Sequence, residues 1–139
     1  MRIFLNANIL VSVLNKEYPL FTWSSRILSL AGHKQFSLYT SPVCLAIAFY
    51  FAEKKSGALV AKKKTGLLAR HLFIAEIGKS MVLQAVNNSA IHDFEDGIEY
   101  YAAKAAGCSM IISEDADDFY FSDIEILTSG QFFERYLNK

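Results

Sequence analysis

Short apolar runs alternate with longer stretches of helical periodicity along the whole of this 139-residue chain. Continuous apolar runs read as strands buried on both faces. Strands of that kind separated by helices specify a parallel sheet covered on either side, an α/β architecture of about five strands. Five runs qualify: 3–5, broken at once by Asn6-Ala7-Asn8; the alternating 36–40; 81–83; 109–113; and 124–127. Helices are expected at about 9–14, 20–30, 43–55, 59–77, 93–106 and 129–137. Pro19 can open the second and Gly32 close it, and Ser41-Pro42 reads as a cap followed by a first turn. Gly57 divides 43–55 from 59–77 as a helical hairpin, and Gly107 stops the helix before the fourth strand. The helix 43–55 is apolar nearly all round, which predicts burial on most sides.

The chain is read as one domain, residues 1–139. At 53% hydrophobic and 20% charged it falls within the globular range, which excludes wholesale disorder. No apolar stretch reaches the roughly 18–20 residues of a membrane span, and no secretory signal follows Met1-Arg2, so a cytoplasmic protein with no membrane association is expected. Cys44 and Cys108, both in apolar settings, are read as buried free thiols.

Net charge is zero, yet the charges are segregated. From Asp93 to Glu125 there are ten acidic residues against Lys104 alone, whereas Lys54, Lys55, Lys62, Lys63, Lys64 and Arg70 fall in a stretch without any acid. Two solvated faces would account for this. A sharper reading requires the acids to converge, and the expected topology allows them to. Asp93 and Asp96 share a face at a helix N-terminus. That helix leads into the strand 109–113, whose carboxyl end delivers Asp115 and Asp118, and Asn6 ends the first strand on the same side of the sheet. Ligands of parallel sheets sit beyond these strand ends. Crowded carboxylates are tolerated mainly beside a cation, and an all-oxygen set favours Mg²⁺ or Mn²⁺. His92 is read as a surface or capping residue. Such an ion polarises a phosphoryl oxygen, and a basic hairpin would contact a phosphate backbone, which together describe a metal-dependent nuclease. A non-catalytic binding module remains open. So does a phosphotransfer receiver with Asp115 as acceptor, although the acidic pair it needs after the first strand is absent.

In order and spacing, Ile3-Phe4-Leu5-Asn6-Ala7-Asn8-Ile9-Leu10, Thr40-Ser41-Pro42, Asp93-Phe94-Glu95-Asp96-Gly97 and Ile111-Ile112-Ser113-Glu114-Asp115-Ala116-Asp117-Asp118-Phe119 resemble a PIN domain over essentially the whole chain. The resemblance implies a three-layer α/β/α fold and an Mg²⁺- or Mn²⁺-dependent ribonuclease, with RNA as substrate. It also implies toxin–antitoxin membership with a cognate antitoxin as partner, and often homodimers. Carried over residue by residue, it assigns Asn6, Asp96, Asp115 and Asp118 to the catalytic set, with Asp93 as a further candidate ligand. Asn8 and Ser113 become supporting groups, and the Lys54–Arg70 hairpin becomes the RNA contact. Two positions depart from the family pattern. Asn6 stands where an aspartate is usual, and Ile47 lies where the helix after the second strand normally supplies a glutamate.

Overall fold

The computed structural model describes residues 1–138. Its sheet has five parallel strands in the order β3-β2-β1-β4-β5. They are β1 (Arg2–Leu5), β2 (Ser37–Thr40), β3 (Phe73–Ile74), β4 (Met110–Ile112) and β5 (Glu125–Leu127). The helices are α1 (Ala7–Leu14), α2 (Leu20–Leu28), α3 (Pro42–Ser56), α4 (Ala58–His71), α5 (Lys79–Asn87), α6 (Phe94–Ala105) and α7 (Ser129–Phe132). α1 to α4 and α7 pack with one another, α5 pairs with α6, and the sheet lies between the two groups, as a three-layer α/β/α fold requires. Ile3, Phe4, Leu5, Ile111 and Ile112 are fully buried, which is why the two central strands read as unbroken apolar runs.

The chain winds from β1 outward through β2 to β3, then returns across the sheet to β4 and β5. The order therefore reverses between β1 and β4, and the crevice outside their carboxyl ends is where such sheets bind ligands. Register brings the two ends level. Leu5 pairs with Ile112, and the Asn6 N–H donates to the Ile112 carbonyl at 3.0 Å.

Three expectations are corrected. Residues 81–83 lie within α5, not in a strand. Met81 and Ala85, four apart, turn the same way and only Ala85 is buried, so the apolar triplet is one turn of an amphipathic helix. The third strand is Phe73–Ile74, inside the stretch expected to be helical. It makes only two pairings, with Tyr39 and Thr40, and both its side chains are exposed, so it leaves no pattern to read. α3 is not buried on most sides either: Cys44, Ala48 and Ala52 are, whereas Tyr50 and Phe51 are exposed. The closing helix begins as α7 and continues as a π-helical turn, Phe133–Leu137. Cys44 and Cys108 are buried free thiols, as expected.

Gly97 sets how closely α6 can approach its neighbours. A Cβ there would stand 2.8 Å from Ile91 Cγ2 and 3.0 Å from Ala85 Cβ. Gly97→Ala should therefore push the first turn of α6 away from α5, at a cost of about 1–3 kcal/mol. Chemical denaturation reads this directly, and an unchanged midpoint would show that α6 is not seated by this contact.

Candidate active site

Asn6 follows β1 and caps α1, its Oδ1 accepting the Ala7 N–H at 2.9 Å. Its Nδ2 donates to Ser113 Oγ at 3.0 Å, just past the end of β4. Asn8 reaches the same hydroxyl at 3.2 Å and also donates to Asp115 Oδ2 at 3.2 Å, while its own Oδ1 accepts the Glu114 N–H. The Asp115 N–H donates to Ser113 Oγ as well, at 3.1 Å. Ser113 is thus the node that binds the end of β1 to the end of β4, and Asn8 holds Asp115 in place. Asp118 lies in a 3₁₀ turn, Ala116–Phe119, and is exposed.

α6 delivers its acids from the third side. Asp93 is its N-cap, with Oδ1 accepting the Asp96 N–H at 3.0 Å, and the helix dipole favours Glu95 and Asp96 in the first turn. Asp96 is 9% exposed. Burial pushes its carboxyl up to about 7, aided by the charges of Asp93, Asp118, Asp115 and Glu99. Folding has therefore brought Asp93, Asp115 and Asp118 within electrostatic reach of Asp96; Asp93 and Asp118 do not line the cleft described next.

A cleft of about 410 Å³ runs through this region, and Asn6, Asn8, Glu17, Ile47, Phe51, Glu95, Asp96, Glu114 and Asp115 are among the residues that line it. Among the described residues, no Lys, Arg or His lines it. His92 is exposed and packs against the Tyr120 ring, outside the cleft. Among the described residues, no three Asp, Glu, His or Cys side chains stand close enough together to hold an ion as they are. The carboxylates wall the cleft without meeting at a point. The chemistry of the lining nonetheless fits a hard divalent cation. The donors are oxygens, no basic side chain among the described residues neutralises them, and burial, with the neighbouring carboxylates adding to it, has raised Asp96 and Glu95, a cost that a cation would offset.

Two acids carry no expected role from sequence. Glu95 lines the cleft, and burial lifts it to about 8, with further contributions from Glu99, Asp96 and Asp93. Glu99 is fully buried and receives Ser41 Oγ at 2.5 Å and Cys44 Sγ at 2.9 Å, joining α6 to the start of α3. Burial raises its carboxyl, and hydrogen bonds with Cys44, Ser41 and Glu95 moderate the rise. The signal for both was the four-residue spacing of Glu95 and Glu99, which puts them on one face of α6.

The basic hairpin is real but divided. Lys54, Lys62, Lys63 and Arg70 are exposed. Lys64 Nζ instead donates to the Leu14 carbonyl at 2.7 Å and Lys55 to the Asn15 carbonyl, so two of the six cations satisfy the last carbonyls of α1. Lys54 and Lys55 follow Phe51, a residue of the cleft lining, by three and four residues, one turn further along α3.

A family model described as PIN domain matches residues 2–117. Ribonuclease VapC1 of Aquifex aeolicus is 29% identical over 141 residues, covering 97% of this chain and 95% of its own. Among solved structures, VapBC-1 from nontypeable Haemophilus influenzae superposes with a TM-score of 0.70 at 15% identity, covering 94% of this chain and 99% of that one. VapC20 of Mycobacterium tuberculosis, described as a sarcin-ricin loop cleaving toxin, gives 0.69 at 16% identity, with 88% and 97% covered. VapBC2 of Rickettsia felis, solved bound to a promoter DNA fragment, gives 0.69 at 16%, with 92% and 98% covered.

Proposed function

The chain belongs to the PIN domain family, and from that premise we propose that it is a ribonuclease hydrolysing RNA phosphodiester bonds at the β1–β4 cleft with a divalent cation, magnesium or manganese. The observation that carries this reading is the separation of charge. The cleft lining holds five carboxylates (Glu17, Glu95, Asp96, Glu114 and Asp115) and, among the described residues, no basic side chain, while exposed cations begin one helical turn past Phe51 on α3. Nucleic acid needs both parts: a cationic surface for the backbone and an anionic pocket for the metal that acts on the scissile bond.

Asp96, Asp115 and the amide oxygen of Asn6 would hold the cation, with Asp118 and Asp93 at its margin. Bound there, a divalent ion polarises a phosphoryl oxygen and acidifies water. Asn8 and Ser113 keep Asp115 aimed into the cleft through the bonds described above. Lys54, Lys62, Lys63 and Arg70 take the flanking phosphates. Lys55 and Lys64 add charge from positions fixed on α1.

The test is cleavage of a labelled RNA by the purified chain. The expected result is cutting that requires Mg²⁺ or Mn²⁺, stops with EDTA and returns on adding back metal. Asn6 and Ile47 favour a second reading, a PIN module that binds RNA or protein without cutting, because neither position supplies the usual negative charge. RNA binding with no cleavage in any metal would establish it. Asn6→Asp addresses the difference: it should tighten Mn²⁺ binding about 10-fold and raise cleavage with it. The added carboxylate can accept the Ser113 hydroxyl in place of the present amide bond. Calorimetric titration measures the affinity. If both quantities stay at the parent level in folded protein, Asn6 is not what limits the site.

A protein partner is part of this reading. Phe51, Leu59, Val60 and Leu67 are exposed on the α3–α4 hairpin and suit a cognate antitoxin. Phe73 and Ile74 on the exposed edge strand suit self-association as a homodimer. No helix among the described residues is long and apolar enough to cross a membrane, and a cytoplasmic location completes the proposal.

A further inference from the structure

The cleft that gathers carboxylates has an apolar lining as well. Val11 of α1, Leu20 of α2 and Ile47 and Phe51 of α3 line it beside the acids. Ile47 and Phe51 are four apart and share a face of α3, and with isoleucine at 47 that face is apolar at both positions. Val11, Leu20 and Ile47 are half-buried and Phe51 is 44% exposed, so apolar surface stays open to water inside the cleft, and covering it is favourable. Cations follow one turn along the same helix. The Phe51 ring meets that of Tyr50 edge-on at 5.3 Å, Lys54 Nζ lies 5.0 Å from the centre of the Tyr50 ring, and Lys55 is anchored on the Asn15 carbonyl. An RNA strand has parts that match this order. Its phosphates suit Lys54 and Lys55 and are repelled by the carboxylates of the lining unless a metal intervenes. Its bases are uncharged and flat, and they stack on aromatic and apolar side chains once they are unpaired. An apolar lining with carboxylates and, among the described residues, no cation therefore suits a base and not a second phosphate.

We infer that Val11, Leu20, Ile47 and Phe51 form a subsite for an unpaired nucleobase of the RNA, with Phe51 as its stacking surface and Lys54 and Lys55 on a neighbouring phosphate. The inference rests on the ribonuclease reading of the cleft and adds a requirement to it: the strand must be single where it enters. It also gives Ile47 a use, since an acid at that position would interrupt the apolar face of α3.

The experiment measures binding of the full chain to RNA by fluorescence anisotropy in EDTA, so that affinity is read apart from metal-dependent cutting. Three labelled probes of about 12 nucleotides are compared: a single strand, the same strand paired with its complement, and a single strand whose central bases are replaced by stable abasic residues. The proteins are the parent, Phe51→Ala, Phe51→Trp and, as a control, Val86→Ala, an exposed position on α5. Melting curves verify folding. The parent should bind the intact single strand about 10-fold tighter than either other probe, Phe51→Ala should bring the three within about threefold, and Phe51→Trp should keep the preference. Val86→Ala should match the parent. Equal affinity of the parent for all three probes, or no binding, overturns the subsite, as does an equal loss of preference in Val86→Ala. A preference that survives in Phe51→Ala also overturns it and leaves the apolar lining to the antitoxin. Cleavage is scored separately in Mg²⁺ and Mn²⁺. A parent that prefers the intact single strand yet cuts in neither metal overturns the ribonuclease reading and upholds the subsite.

Discussion

Asp96→Asn should lower the rate of RNA cleavage about 1000-fold or more while leaving the metal-free fold at least as stable as the parent's. The two halves have one cause. Burial holds Asp96 at about 7, and the charges of Asp93, Asp118, Asp115 and Glu99 add to it. In the unfolded chain an aspartate titrates near 4. Between those values the folded state keeps a proton that the unfolded state has released, so stability falls as pH rises across the interval. Glu95, at about 8, contributes in the same direction. Metal-free protein should accordingly melt at progressively lower temperature as pH is raised from about 4 to about 8. Asp96→Asn should flatten part of that slope, and Mn²⁺ should restore stability to the parent but not to the variant. Thermal melts in EDTA at several pH values supply the check. A variant that melts well below the parent at the upper end of the range would make Asp96 a structural acid.

Glu99→Ala should cost about 2–4 kcal/mol of folding stability, since it leaves a cavity and strips two buried donors of their acceptor. Ser41 Oγ and Cys44 Sγ both donate to Glu99, which is fully buried. Ser41 also caps α3 by accepting the Cys44 N–H at 3.1 Å, so the glutamate fixes the cap that starts the helix. Cys44 Sγ lies 3.7 Å from Asn6 Oδ1, which extends the link from α6 through α3 to the end of β1. Glu99→Gln should cost less, because Ser41 can turn its hydroxyl to accept from the new amide. Urea denaturation distinguishes the two. Equal and small losses in both variants would show that this link contributes little.

The strands on either side of the topological reversal were legible because complete burial of Ile3, Phe4, Leu5, Ile111 and Ile112 leaves uninterrupted apolar runs. The polar residues that end those runs were legible for the same reason, so Asn6, Asn8, Ser113 and Asp115 could be placed together before any coordinates. α6 was marked by Asp93 and Gly107, a cap at one end and a left-handed stop, φ +79°, at the other. β3 was not legible: two residues paired to one neighbour and open to solvent carry neither alternation nor an apolar run. α5 was mistaken for a strand because three consecutive apolar residues fit either period over so short a length. In α3, apolar composition was equated with burial, whereas Tyr50 and Phe51 face outward. The parts of the site that escaped were the buried acids of α6. Charge along a sequence shows that Glu95 and Glu99 are acidic, but only packing shows that one lines the cleft and the other is tied to α3. Likewise, the lysine run gave no sign that Lys55 and Lys64 would turn back onto the carbonyls of α1.

The most direct test is to grow crystals in Mn²⁺ and record anomalous scattering at the manganese edge. The expected result is a single strong peak in the β1–β4 cleft within coordination distance of Asp96 and Asp115, about 2.0–2.3 Å from their oxygens, absent from crystals of Asp96→Asn. A cleft that stays free of manganese at saturating concentration, in protein that cuts RNA equally well in EDTA, would contradict the account.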